Sequence, residues 1–281
     1  MIFDGKKVAN ETVLDLKQNF LELKYRLPVN PSLIIFTSND PASQVYVKNK
    51  IKCGNEVGVN VVTFSVSSAE DIRSTLECTS APFIIQLPND NLTEREIDSI
   101  LCDYVDRDVD GFSSRNIGLI AQGVEPVWYY PCTPKGVIRL LDYYKIDCTG
   151  KNVLILGRSN IVGKPLSYML TSRNATVTLA HSKTDWSRLE YLVYGADIIV
   201  SATGKRDMLK GISNLNGTIL IDVGINRNEE GKLCGDFYPP ILDSALAYSP
   251  VPNGIGPMTV AMLFENVFNY WKNYCDLLDA L

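Results

Sequence analysis

Two patterns alternate along this chain and constrain its fold more than any other feature. Short runs are apolar almost without interruption, and between them lie longer stretches with apolar residues at three- and four-residue steps. A strand covered on both faces needs the first pattern, and a helix lying on such a sheet needs the second. In the first half the runs are Leu33-Ile34-Ile35-Phe36, Val59–Phe64 and Pro82-Phe83-Ile84-Ile85-Gln86. Val13, Leu16, Phe20, Leu23 and Leu27 mark an amphipathic helix over 7–27, and a second helix is expected to run through about Gly54. Further helices are expected over Ala69–Cys78 and Thr93–Tyr104, the latter with Thr93 as N-cap and Glu96 three residues on. The second half repeats the scheme with Val153–Leu156, Ala175–Leu179, Ile198–Val200 and Ile219–Ile221, and ends in a helix from about Pro257 to Leu278. Between the two series, from Asp110-Gly111 onward, Pro126, Pro131 and Pro134 leave the pattern irregular until a connecting helix near Thr133–Leu141. The alternation predicts an α/β protein of two lobes, each a parallel sheet covered by helices.

Charge and composition exclude several classes of function. The chain has 281 residues, 46% hydrophobic and 21% charged, with a formal net charge of −5. No broad basic field is present to attract nucleic acid or an anionic membrane, so neither partner is expected. The opening Met1–Lys7 lacks the charged-then-apolar pattern of a secretory signal, and no apolar run approaches the ~20 residues of a membrane span. Seven cysteines, at 53, 78, 102, 132, 148, 234 and 275, form no Cys-x-x-Cys pair. An odd number at such spacings reads as free thiols in a reducing, cytoplasmic setting. With His181 as the single histidine, no metal site is expected.

Gly157-Arg158-Ser159-Asn160-Ile161-Val162-Gly163-Lys164-Pro165 follows an apolar strand and opens a helical stretch. Dinucleotide pyrophosphates bind at such places, where backbone N–H groups at a helix N-terminus meet no obstructing side chain. Gly157 allows a tight turn and Gly163 allows helix and strand to approach, while Ser159 stands where the usual fingerprint has its second glycine. About 20 residues on, NAD enzymes place a carboxylate for the ribose hydroxyls. Here that stretch reads His181-Ser182-Lys183-Thr184, with hydroxyl and cationic groups and no carboxylate. Together with Arg158 it suits a 2′-phosphate, hence NADP; a solvated strand end is the competing explanation.

Ser43–Lys52 places Tyr46 and Lys50 one helical turn apart. A lysine amine can move protons and a phenol can orient it or stack on a planar substrate, but most lysines on such helices are simply solvated. The Tyr-x-x-x-Lys spacing is shared by short-chain dehydrogenases, whose nucleotide loop comes first; here the order is reversed, and that family is rejected. Asp110 precedes a glycine, so it is either a turn residue or an acceptor of two hydrogen bonds from an amino-heterocycle. Pro250–Thr259, dense in Pro and Gly, reads as a rigid loop shaped around a ligand.

Taken in order, these segments resemble the bacterial methylenetetrahydrofolate dehydrogenase/cyclohydrolase family. The resemblance rests on Asp40–Lys50, Gln86-Leu87-Pro88, Asp108–Phe112, Pro131–Gly136, Gly157–Pro165, Ala175–Thr178, His181–Thr184, Asp222–Asn226 and Pro250–Thr259. It covers essentially the whole chain. It implies a bifunctional enzyme of one-carbon metabolism that oxidises 5,10-methylenetetrahydrofolate with NADP and hydrolyses the methenyl product to 10-formyltetrahydrofolate. A folate-binding catalytic domain over 1–140, completed by the helix 256–281, and a Rossmann-type NADP domain over 141–255 are then expected, with a cleft between them. Lys50 would be the acid/base residue, Tyr46 would stack on or orient the folate, Gln86 would bond Lys50, and Asp110 would hold the pterin. Pro252, Gly254, Pro257 and Thr259 would complete the folate site. Gly157, Arg158, Ser159, Val162 and Gly163 would bind the cofactor, with His181, Ser182, Thr203, Gly224 and Ile225; Arg158 and Ser182 match contacts to the 2′-phosphate. A homodimer formed through the nucleotide lobes is also implied. A dehydrogenase without cyclohydrolase activity and a silent NADP- or folate-binding relative are the alternatives, and retention of Lys50 with Gln86 favours both activities. Ser38, Asn89-Asp90, Ser113-Ser114 and Asn253 depart from the family pattern.

Overall fold

The computed structural model describes residues 1–38 and 41–280, so Asp40 of the first motif lies outside the described residues. In chain order the elements begin with α1 (Gly5–Lys24), β1 (Ser32–Thr37), α2 (Pro41–Val57), β2 (Asn60–Ser65), α3 (Ala69–Glu77), β3 (Phe83–Ile85), α4 (Glu94–Asp103) and α5 (Ser114–Gln122). They continue with α6 (Cys132–Tyr143), β4 (Asn152–Leu156), α7 (Gly163–Thr171), β5 (Thr176–Ala180), α8 (Trp186–Tyr194), β6 (Ile198–Ser201) and β7 (Ile219–Asp222). The last are β8 (Asn226–Arg227), β9 (Leu233–Cys234), α9 (Pro239–Leu242), β10 (Ala247–Tyr248) and α10 (Ile255–Asp279). The chain divides into two compact units, one of residues 10–132 with 260–281 and the other of residues 1–9 with 133–259.

The first unit is built on a parallel sheet of order β2-β1-β3, in which Ile34 pairs with Val62 on one side and Phe83 on the other. Arg107–Val109 runs alongside β3 as a further short rung: Phe83 N donates to Arg107 O at 2.9 Å, and Phe83 and Asp108 form a parallel bridge. Leu33, Ile35, Phe36, Phe83 and Ile84 are all fully buried, as central strands covered on both faces require. The C-terminal part of α10 belongs to this unit. Trp271 Nε1 donates to Ser32 O at 2.9 Å, and Phe268 meets Phe20 edge-on with centroids 5.3 Å apart.

The expected N-cap of α4 is present: Thr93 Oγ1 accepts from Glu96 N, and the Glu96 carboxylate accepts from Thr93 N at 2.9 Å. The irregular stretch after Gly111 needs correcting, because it contains α5. That helix buries only Asn116 and Ile120, too few apolar positions to set a period. Its ends are clear in structural terms. Ser113 Oγ accepts from Asn116 N at 3.1 Å, and Gly123 closes the helix at φ 64°. The helix α8 also carries no clear signal in the sequence. Leu189 and Val193 are buried in it, while Trp186, Tyr191 and Tyr194 are exposed, so aromatic residues on the outer face blur the apolar stripe.

The second unit holds a five-stranded parallel sheet of order β10-β7-β6-β4-β5. The chain starts at β4, places β5 on one side, then crosses back to add β6 and β7 on the other. This reversal is the doubly wound arrangement, with its ligand crevice at the C-terminal ends of the strands flanking β4. Leu154, Leu156, Val193, Ile199 and Leu220 form the core on one face. The chain start is tied to the far edge: Phe3 N donates to Tyr248 O at 2.8 Å, and the Phe3 ring stacks on Tyr144 with centroids 4.4 Å apart. Ile35→Ala, which removes three buried carbons from the central strand of the first sheet, is expected to lower the unfolding free energy by about 2–5 kcal/mol in urea titrations.

Candidate active site

Helix α2 carries Tyr46 and Lys50, and the two differ sharply in environment. Tyr46 is 38% exposed, whereas Lys50 is 8% exposed. The solvated-lysine alternative therefore fails for Lys50. Its Nζ donates to Gln86 Oε1 at 2.9 Å. Gln86 stands immediately after β3, and its own Nε2 donates to Leu87 O at 2.7 Å, which turns Oε1 toward the lysine. Among the described residues no carboxylate pairs with Lys50. A buried lysine amine with a single neutral acceptor has its remaining hydrogen-bonding positions open to a ligand.

Asp110 sits in the loop that follows the Arg107–Val109 rung, on the same unit. Three buried polar residues fix that loop. Asp108, 1% exposed, accepts from Gly111 N and Ser113 N, both at 3.1 Å. Asn116 Nδ2 donates to Gly111 O at 3.0 Å and to Tyr129 O at 2.5 Å, while its Oδ1 accepts from Trp128 N at 3.1 Å. From α10, Asn266 Nδ2 donates to Val109 O at 2.9 Å and Tyr130 O at 3.0 Å. Asp110 itself stays half-buried between these anchors. Burial and the neighbouring Asp110 charge push the Asp108 carboxyl up to about 7 against the opposing pull of its backbone donors.

In the second unit the loop after β4 has the form an anion site needs. Gly157 adopts φ 116°, and a Cβ there would overlap the Ala202 carbonyl. A Cβ on Gly163 would overlap the Gly157 carbonyl, so helix α7 can start this close to the strand only with glycine at that position. Ser159 Oγ accepts from Val162 N at 3.1 Å and Gly163 N at 3.4 Å, taking the donors at the helix start that a phosphate would otherwise meet first. At the end of β5, Lys183 N donates to His181 Nδ1 at 3.2 Å and His181 N to Thr184 Oγ1 at 3.0 Å. His181 and Thr184 thus shape the turn, and Ser182 and Lys183 are exposed on it. Arg158 is exposed too, and among the described residues neither cation makes an ion pair. Glycine clearance, helix N-terminus and unpaired cations fit NADP and its extra phosphate.

The sequence profile of the tetrahydrofolate dehydrogenase/cyclohydrolase NAD(P)-binding domain matches residues 131–275. The bifunctional protein FolD of Moorella thermoacetica is 40% identical over 276 residues, covering 94% of this chain and 96% of that protein. The bifunctional FolD methylenetetrahydrofolate dehydrogenase/cyclohydrolase of Campylobacter jejuni superposes with a TM-score of 0.90 at 36% identity, over 98% of this chain and 99% of that one. The Trypanosoma brucei methylenetetrahydrofolate dehydrogenase-cyclohydrolase, solved with NADP and an inhibitor, superposes with a TM-score of 0.87 at 27% identity over 98% of each chain. This chain belongs to the tetrahydrofolate dehydrogenase/cyclohydrolase family.

The structure gives physical roles to two departures from that family's pattern. Ser113 caps α5, and Ser114 Oγ donates to Asp98 Oδ2 at 2.8 Å, so the pair starts a helix and ties it to α4. Asn253 adopts φ 80°, a conformation asparagine tolerates better than most residues, and its carbonyl accepts from Lys6 N at 2.9 Å. The loop it belongs to lies in the second unit with Pro252, Gly254, Pro257 and Thr259, where Thr259 Oγ1 lies 3.0 Å from Thr133 Oγ1. Lys50 and Gln86 are joined directly, and Tyr46 and Asp110 belong to their unit. Thr203, Gly224 and Ile225 follow the C-terminal ends of β6 and β7. Asp108, Asn116 and Asn266 carry no sequence signal of their own, because each acts through backbone groups of a loop.

The raised Asp108 pKa has a definite sign. Between its ordinary value near 4 and about 7 the folded state holds a proton that the unfolded chain has released, so stability falls as pH rises through that window. Asp222, pushed up to about 6 by burial, adds a decline of the same sign below that pH. Melting temperatures measured from pH 4 to pH 8 are therefore expected to fall in the parent and to fall less steeply in Asp108→Asn, with the difference concentrated between about pH 6 and 7.

Proposed function

We propose that this chain catalyses NADP-dependent oxidation of 5,10-methylenetetrahydrofolate to the 5,10-methenyl cation and hydrolysis of that cation to 10-formyltetrahydrofolate. The observation that carries the reading is the buried Lys50–Gln86 pair in a member of this family. A solvated surface lysine would have no such partner and no such burial.

NADP, when bound, supplies the acceptor for the hydride leaving the methylene carbon. The chain's own residues supply binding and proton management. The Asp110 carboxylate, held by the braced loop, accepts two N–H bonds from the amino-heterocycle of the pterin. Tyr46, the exposed ring on α2, stacks along the folate. Pro252, Gly254, Pro257 and Thr259 give the folate a rigid edge. Water adding to the methenyl carbon releases a proton, and opening of the ring requires one at the departing nitrogen. Lys50 Nζ takes and returns that proton, and Gln86 Oε1 fixes where Nζ stands. Arg158, Ser182 and the neighbouring turn hold the 2′-phosphate, while the Gly157–Gly163 loop holds the pyrophosphate.

The reading extends to assembly and setting. A homodimer formed through the second unit is supported by β5 standing at a sheet edge and by exposed Trp186, Tyr191 and Tyr194 on α8. A cytoplasmic setting is supported by the free thiols of the described cysteines. No described helix is long and apolar enough to cross a membrane.

Lys50→Met is expected to abolish hydrolysis of methenyltetrahydrofolate, followed by loss of its absorbance, while NADPH binding persists; unchanged hydrolysis would remove Lys50 from its role. Arg158→Ala is expected to erode the preference for NADP over NAD by about tenfold, the worth of one charge-assisted phosphate contact. Equal kcat/KM with the two cofactors in the parent would sink the 2′-phosphate assignment.

A further inference from the structure

At the C-terminal ends of β6 and β7 a second group of buried carboxylates stands outside every role assigned so far. Asp236, fully buried, lies between β9 and α9. Its Oδ2 accepts from Thr203 N at 2.7 Å, Ser201 Oγ and Thr203 Oγ1 at 2.9 Å, and Gly204 N at 3.3 Å. Its Oδ1 accepts from Asn226 Nδ2 at 2.8 Å. A Cβ on Gly224 would overlap this carboxylate, so the loop after β7 rests directly on it. Asp222 closes the arrangement by accepting from Gly224 N at 2.9 Å and Asp236 N at 3.0 Å. Among the described residues no cation pairs with either acid.

One acceptor-only side chain therefore fixes two loops at once, 201–204 after β6 and 224–226 after β7. The Thr203 hydroxyl donates to Asp236 and accepts from Lys205 N at 3.1 Å, so its single proton is spent within the protein. What these loops can donate to a ligand comes from their backbone. In a doubly wound sheet the dinucleotide lies across the reversal point. The adenosine ribose then sits at the end of β5 and the nicotinamide beyond the ends of β6 and β7. We infer that Asp236 is a positioning residue for the nicotinamide half of the NADP site, setting the Thr203 and Gly224 loops without touching the folate chemistry at Lys50. This rests on the NADP reading proposed above.

Asparagine cannot take over the role in either orientation. With its NH2 in the Oδ2 position it faces the N–H groups of Thr203 and Gly204, and with its NH2 in the Oδ1 position it faces the Asn226 amide donor. The test uses the full chain, parent and Asp236→Asn, with three readouts: NADPH affinity by fluorescence, 2′,5′-ADP affinity by calorimetry, and methenyltetrahydrofolate hydrolysis. NADPH binding is expected to weaken by about tenfold or more, the scale of a buried donor left unsatisfied. Affinity for 2′,5′-ADP, which occupies only the adenosine end, and hydrolysis are both expected to stay within about twofold, below the scale of one lost hydrogen bond. Unchanged NADPH affinity overturns the inference. So does a parallel loss for 2′,5′-ADP, which would make Asp236 a brace for the whole unit. Should Asp236→Asn fail to fold, Ser201→Ala removes one buried donor from the same oxygen, and the same pattern at smaller amplitude is required of it. A parent chain that binds neither NADPH nor 2′,5′-ADP defeats the cofactor reading itself, and this inference with it.

Discussion

In both units the loops that carry candidate site residues hang from buried carboxylates that, among the described residues, pair with no cation. Asp108 does this below Asp110, and Asp222 with Asp236 does it below Thr203 and Gly224. Burying a carboxylate costs several kcal/mol. Each charge-assisted bond from a backbone or hydroxyl donor returns roughly 1.5–3 kcal/mol, which offsets part of that cost at Asp108 and Asp222, where burial still raises the carboxyl pKa. A lysine or arginine partner would relieve the charge equally well, but its long side chain would not fix a loop. Backbone donors held by a carboxylate fix the very atoms that shape a site, and that is the property hydride and proton transfer depend on.

The alternating strands and helices were legible because both faces of each sheet are covered, which leaves the strands almost purely apolar. The Gly157 and Gly163 positions were legible for a related reason, since only glycine can stand against the Ala202 and Gly157 carbonyls. Lys50 and Gln86 are different. Spacing placed Lys50 on a helix but could not say that it was buried, because burial is decided by packing against residues far along the chain. The family resemblance supplied the pairing that the 36-residue separation concealed. The helix α5 escaped because one of its two buried residues, Asn116, is a polar brace, and periodicity counts only apolar ones. Asp236 escaped because a carboxylate that serves backbone atoms looks, in sequence, like any turn aspartate.

The same contrast explains why cofactor preference and cofactor geometry have different physical bases here. The loop after β4 is shaped by glycine clearance at Gly157 and Gly163 and by the bonds of Ser159 Oγ to the start of α7, fixed local geometry rather than exposed charge. In the proposed reading the 2′-phosphate meets Arg158 and the Ser182-Lys183 turn, all exposed to solvent. Exposed charges act through a screened field with a Debye length of about 8 Å at physiological ionic strength. On that reading, discrimination between NADP and NAD is softer than binding of the shared dinucleotide. The absence of a carboxylate at the end of β5 matters more than either cation: a ribose-binding acid there would repel a 2′-phosphate at close range, and His181–Thr184 offers a turn with hydroxyl and amine groups instead.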